Sequence, residues 1–218
     1  MQACSEHITH LAGVWAHGWA LSRGVAPPTA LGRAHRLEVG LPQHRVRYVV
    51  ACGRDLASHA PAWTGPGTVV KAFLSGPETE AVLGPRWRVG EGEVLMSADL
   101  SAGCDPAPEP YRIQVQSQGA THRALALAPD GRVAAEAWAA LHAGHAVFDR
   151  VVTDPEHRRR GLGRALMGAL GRISAGQGAH TGVLVATEDG RALYTALGWS
   201  VVCEVTPALL PEGALTAP

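Results

Sequence analysis

The stretch Val147-Phe148-Asp149-Arg150-Val151-Val152-Thr153-Asp154-Pro155-Glu156-His157-Arg158-Arg159-Arg160-Gly161-Leu162-Gly163 decides how this chain is read. An apolar, strand-like run meets a Thr153-Asp154-Pro155 break, turns through three arginines and two glycines, and enters a helix. The first amides of a helix have no intrahelical acceptor and lie at the positive end of its dipole. A diphosphate is a natural occupant of such a place. Gly161 and Gly163 carry no Cβ, which allows a phosphate close to the backbone, and the arginines add charge-assisted bonds. The turn therefore points to a phosphorylated carrier or a nucleotide.

Spacing argues against two phosphate-binding motifs. A P-loop needs Gly-Lys-Ser/Thr, but Gly163 is followed by Arg164-Ala165 and the only lysine is Lys71. The dinucleotide fingerprint needs a small residue three positions after its second glycine. Leu166 stands there and would crowd the strand beneath.

A third pattern fits. Arg158-x-x-Gly161-x-Gly163 resembles the Arg/Gln-x-x-Gly-x-Gly/Ala signature of the GNAT acetyltransferase superfamily, and Ala192-Leu193-Tyr194-Thr195-Ala196-Leu197-Gly198-Trp199 resembles its second, apolar–Tyr–x–x–Leu–Gly–aromatic stretch. One helix and one strand separate the two, and the resemblance spans roughly Tyr111–Val205. It implies the GNAT fold, an α/β (α+β) arrangement with a mixed, mostly antiparallel twisted sheet flanked by helices.

The bulk numbers set the frame. The chain has 218 residues, 46% of them hydrophobic, and 19 acidic residues balance 19 basic ones. That length suits one large domain or two small ones. A neutral balance gives no global field for nucleic acid or membrane, so neither is expected as a partner. Cys4, Cys52, Cys104 and Cys203 form no Cys-x-x-Cys pair, so no metal site is expected, and they read as reduced thiols in a cytoplasm. Most of the eleven histidines read as surface residues. Leu11–Leu21 is apolar, but no basic run precedes it, so it is not read as a targeting signal.

Pro106, Pro108 and Pro110 make Ser101–Pro110 the best linker. The expected organisation is an N-terminal α/β domain over 1–100, a linker over 101–110 and a GNAT acetyltransferase domain over 111–218. In the C-terminal part, strands are predicted at Tyr111–Ser117, Thr121–Leu127, Val133–Leu141, His145–Val152, Thr181–Ala186 and Trp199–Val205. Pro129-Asp130-Gly131 marks a turn. Leu162, Ala165, Leu166, Ala169, Leu170 and Ile173 share one helical face, which predicts a helix from about Gly161 to Ser174. A second helix runs from Glu188 to about Leu197. No counterpart is found for the two helices that usually follow the first strand of the family. The N-terminal part reads as strands at Arg36–Val39, Arg45–Ala51, Thr68–Leu74 and Glu93–Ala98 with short helices at Asp55–Ala60 and Pro77–Leu83. It is either a degenerate second copy of the same fold or a family-specific lid or substrate domain.

The resemblance implies N-acetyl transfer from acetyl-CoA, used as co-substrate, to a primary amine of a small molecule or protein. It also implies that Val151, Val152 and Thr153 leave their neighbouring strand and meet the pantetheine arm. Arg158, Arg159, Arg160, Gly161, Leu162, Gly163, Arg164 and Ala165 would hold the diphosphate. Tyr194 falls where the general acid of the family stands, and a phenol is protonated at neutral pH. Asp149 and then Glu136 are the candidate bases. The alternative is a non-catalytic acetyl-CoA sensor. The chain is expected to work as a monomer or homodimer.

Overall fold

Turn glycines and alternating apolar residues set out the strands, and the computed structural model describes them over residues 5–100 and 107–212. Helix α1 (Glu6–Arg23) comes first; the Ser5 hydroxyl accepts from the Ile8 amide, and Gly24 closes it at φ 65°. Next come β1 (Thr29–Leu31), β2 (Ala34–Leu41), β3 (His44–Val50), α2 (Gly53–His59), β4 (Thr68–Ala72), α3 (Gly76–Leu83), β5 (Arg88–Val89) and β6 (Glu93–Asp99). The C-terminal half follows with β7 (Arg112–Gln118), β8 (Thr121–Leu127), β9 (Val133–His142), β10 (His145–Thr153), α4 (Leu162–Gly176), β11 (Thr181–Thr187), α5 (Glu188–Ala196) and β12 (Ser200–Leu210). The linker expected over 101–110 falls largely outside the described residues.

All twelve strands join one mixed sheet. Two pairings are parallel, β3 with β4 and β10 with β11. Both halves therefore follow one order: antiparallel strands, a helix, a strand parallel to the last, a helix, and closing strands. They also exchange their closing strands. β6 ends the N-terminal half, yet it lies between β11 and the first part of β12. The last part of β12, Thr206–Leu210, pairs with β4, and β5 pairs with β12 on its other side. The sheet thus runs across both halves without a break.

The sequence reading assigned no helix to Leu11–Leu21, and α1 is the main addition. Apolar residues surround it, so no single stripe announces it. Its buried residues include Leu11, Val14, Trp15 and Trp19. Along β10 the side chains alternate: Ala146 and Phe148 pack with α4, while Val147 packs with α1. Contact is close enough that a Cβ on Gly18 would lie 2.3 Å from Val147 Cβ. No helix separates β7 from β8; α1 covers the opposite face of β9–β11 instead.

One further expectation changes. Cys52 is disulfide-bonded, so the four thiols are not all reduced. Cys203 is free, and burial raises its thiol to about 12. Of the eleven histidines only His122 is fully buried, and His17 stacks on His142 with ring centroids 4.2 Å apart. Among the described residues no helix is long and apolar enough to cross a membrane.

Candidate active site

The site begins where β10 and β11 part. Their register runs only from His145 opposite Thr181 to Val147 opposite Val183. From Phe148 onward β10 pairs with β9 alone, and a bulge between Asp149 and Val152 breaks that register, with Arg150 at φ 52°. A bulge bends its strand and frees backbone groups from the ladder. A wedge therefore opens between β10 and β11, and α4 and α5 begin at its mouth.

The connection from β10 to α4 is shaped by its own side chains. Asp154 accepts from the Glu156 amide at 2.9 Å and starts a short 3₁₀ turn, Pro155–His157. Arg159 and Gly161 both take positive φ, 60° and 78°. Gly161 is the residue before α4 and has no side chain to cap it. Among the described residues no acceptor meets the amides of Arg159 through Gly163, whereas Ala165 already donates to the Gly161 carbonyl at 3.1 Å. The two glycines have different tasks. Gly161 permits the left-handed turn, but a Cβ on Gly163 would come 2.9 Å from Leu193 Cδ2. The absent side chain of Gly163 thus makes room for α5.

A cavity of about 730 Å³ lies over these amides. Val151, Val152, Thr153, Arg158, Arg159, Gly161, Leu162, Gly163 and Arg164 line it, as does Tyr194. Two of the expected binding residues do not line it. Arg160 turns back to the Glu156 carbonyl at 3.3 Å, and Ala165 is buried beneath the helix.

A second cavity, about 390 Å³, adjoins the first on the α1 side of the sheet. Val151, Val152, Thr187, Gly190 and Tyr194 line both. Burial, assisted by nearby Asp149, raises the Tyr194 phenol to about 12, so it stays protonated. Asp149 faces the second cavity but is occupied. Arg23 binds it through two bonds, 2.7 and 3.0 Å, and Ser22 donates at 2.9 Å. Burial alone would raise the Asp149 carboxyl; Arg23 and Ser22 outweigh it and hold the group below its ordinary value. Glu136 is bound by Arg123 and lines neither cavity.

The sequence reading missed the rest of the second cavity. Trp15, Trp19, Arg23, Arg47, Lys71 and Glu93 line it, from α1, β3, β4 and β6. The only hint was that Lys71 is the single lysine of the chain.

Residues 120–201 match the profile of the acetyltransferase (GNAT) domain family. That segment is a GNAT domain. GNAT proteins transfer acyl groups from acyl-CoA, and the split strands, the bare amides and Tyr194 all lie inside or beside the matched segment. The fold is similar to that of a GCN5-related N-acetyltransferase from Kribbella flavida, with 15% identity over 94% of this chain and 97% of that one and a TM-score of 0.63. It is also similar to a GNAT-family acetyltransferase from Novosphingobium aromaticivorans, at 20% identity, 90% and 97% coverage and a TM-score of 0.59. A GCN5-related N-acetyltransferase-like protein from Streptococcus suis gives 12%, 95%, 99% and 0.54 in the same order. At these identities the likeness is one of fold, and it takes in both halves. No curated protein matches in sequence.

Proposed function

We propose that this chain moves the acetyl group of acetyl-CoA to a primary amine within a ternary complex. One observation carries the reading: two cavities meet at Tyr194, in the wedge between β10 and β11. In this reading the amides of Arg159–Gly163 take the diphosphate, with Arg158 and Arg164 beside it. The unpaired edge of β10 over Val151–Thr153 takes the pantetheine arm as an added strand would, and an amide near Val151 bonds the thioester oxygen. The amine enters from the second cavity.

Its nitrogen lone pair attacks the thioester carbonyl carbon; a C–N bond forms and the C–S bond breaks. A thiol has an ordinary pKa of about 8.5. Tyr194 is held protonated well above that, so its hydroxyl donates to the departing sulfur. Its proton passes to sulfur while the proton shed by the nitrogen replaces it. Asp149 is held below its ordinary value by Arg23 and Ser22 and is a weak base; Glu136 is bound by Arg123 away from both cavities. We assign Asp149 to fixing Arg23 and keeping Tyr194 protonated.

The test is Tyr194→Phe, with thiol release followed across a panel of amines. Turnover falls by about 10²–10³-fold, as expected on losing a general acid, while acetyl-CoA affinity by calorimetry stays within about twofold of wild type. A wild-type protein that binds acetyl-CoA but releases no thiol with any amine would be a sensor, and the enzymatic reading would fall.

A further inference from the structure

The second cavity is lined by four cations, Arg23, Arg47, Lys71 and Arg150, and two carboxylates, Asp149 and Glu93. Two pairs are closed. Arg23 is bound to both oxygens of Asp149, and Lys71 donates to Glu93 at 2.5 Å. Arg47 belongs to neither pair. Its Nε donates to His44 Nε2 at 3.2 Å, and its two terminal nitrogens have no hydrogen-bond partner among the described residues. Its guanidinium lies 4.1 Å from the Trp19 ring centroid and 5.7 Å from that of Trp15.

This is a costly arrangement for the protein alone. Burial, helped by Arg23, lowers the Arg47 guanidinium to about 10, yet it remains charged at neutral pH. Glu93 and Asp149 favour its charge from nearby without bonding to it, the two indoles add a cation–π contribution, and its terminal nitrogens are left facing the cavity. The indoles also fix the plane of the guanidinium, which presents its open edge as a rigid fork. A planar fork matches the two oxygens of a carboxylate. The cavity is of a size for a small molecule, and it leads directly to Tyr194.

We propose that Arg47 anchors a carboxylate on the acceptor, so that the substrates are small amino acids or other amino carboxylates held with the amine toward Tyr194. This rests on the acyl-transfer reading for the identity of the cavity as the acceptor site. The N-terminal half thereby supplies specificity to chemistry carried by the other half. The carboxylate supplies the partner that Arg47 lacks, and the amine reacts in its neutral form, its ammonium proton having been given up to solvent.

The test uses the full chain loaded with CoA and matched probes: glycine against methylamine, γ-aminobutyrate against propylamine, and L-leucine against 3-methylbutylamine. Calorimetry gives at least about tenfold tighter binding of the acid in one or more pairs, the order expected for a lost charged bond in a buried site. Arg47→Gln, checked by circular dichroism and CoA titration, brings that pair to within about twofold. Arg47→Lys keeps the charge without the fork and keeps part of the preference. Amines that bind as tightly as their acids, acids that do not bind, or an Arg47→Gln protein that keeps the preference would each overturn the proposal. If Arg47→Gln does not fold, the wild-type pairs decide alone. Thiol release from acetyl-CoA is read in parallel samples with the same amines. Acids that bind without thiol release would overturn acyl transfer and leave the carboxylate site standing; release without preference for acids would overturn only the site.

Discussion

The strand pair β3 and β4 remains closed, whereas its counterpart β10 and β11 splits. β3 and β4 stay in register from Val46 opposite Thr68 to Val50 opposite Ala72. β10 and β11 hold three pairs and then separate around a bulge. The following connections differ as sharply. Only Ala51 and Cys52 separate β3 from α2, while an eight-residue turn, 154–161, joins β10 to α4. At the third and seventh positions of the second helix, α5 carries Gly190 and Tyr194 where α3 carries Glu78 and Val82. The N-terminal half has its own cavity of about 740 Å³ at the matching place, lined by Ala51, Cys52, Glu78 and Val82. One topology thus yields an open wedge in one half and a closed strand pair in the other. A short list of local features separates them: a bulge, a long turn with left-handed residues, and one tyrosine.

The halves differ in chemistry but not in independence, because each lacks its last strand without the other. Leu95 and Met96 of β6 are fully buried, one in each of the two cores that flank the C-terminal sheet. We expect residues 107–218 expressed alone to show no cooperative unfolding transition, since β11 and β12 lose the strand between them and Val147 and Val183 lose α1. Adding residues 1–106 in trans restores the transition. Thermal melts followed by circular dichroism check both, and a C-terminal fragment that melts cooperatively by itself would refute the exchange as a stabilising feature.

The next expected effect is confined to the open half. Gly161 holds φ 78° ahead of α4, a conformation closed to β-branched residues. Gly161→Val twists the amides away from the diphosphate and weakens acetyl-CoA binding by about 10–100-fold, as loss of several backbone bonds to a charged group implies. Gly53, at the start of α2, has no positive φ, and a Cβ there would meet only Glu78 Oε1 at 3.5 Å. Gly53→Ala leaves acetyl-CoA affinity unchanged. Calorimetric titration of both variants reads the asymmetry directly; equal losses would mean that the closed half also contributes to acyl-CoA binding.

The open half was also the legible half. β7, β8 and β9 are separated by turns that contain Gly119 and Gly131, Gly144 follows β9, and the arginine–glycine turn is contiguous in sequence. The N-terminal strands at 34–41, 44–50, 68–72 and 93–99 are close to expectation for the same reason. What local pattern cannot carry is exchange. Nothing in Glu93–Asp99 says that its neighbours are β11 and β12. The second cavity is hidden on the same grounds. Arg47, Lys71 and Glu93 stand on different strands, and the two tryptophans stand on a helix too uniformly apolar to show a stripe. Asp149 was placed correctly on the face of Val147, but its partner Arg23 lies 126 positions away, and that partner decides its basicity.

The smallest expected effect concerns the histidines that tie the halves together. β3 opens at His44 and β10 at His145. His44 lies under Trp19, 6.0 Å between centroids, and burial, reinforced by Arg47, Lys71 and Arg23, lowers it to about 4. His35 and His142 are lowered by burial and by nearby His17, and His122 by burial against an opposing bond from Gln177. An unfolded chain protonates such groups near their ordinary value of about 6.5, while the folded chain resists until lower pH. Their contribution is therefore full above that value and is lost as pH falls toward the folded values. For His44, screening at its partly exposed ring leaves about 1 kcal/mol of the shift. Urea midpoints measured from pH 7.5 down to 5 should decline before any paired carboxylate titrates. His44→Gln flattens that decline, because a residue that takes no proton has none to be denied by folding. An unchanged slope in the variant would show that the acid sensitivity lies with His35, His122 and His142, away from the pocket that holds Arg47.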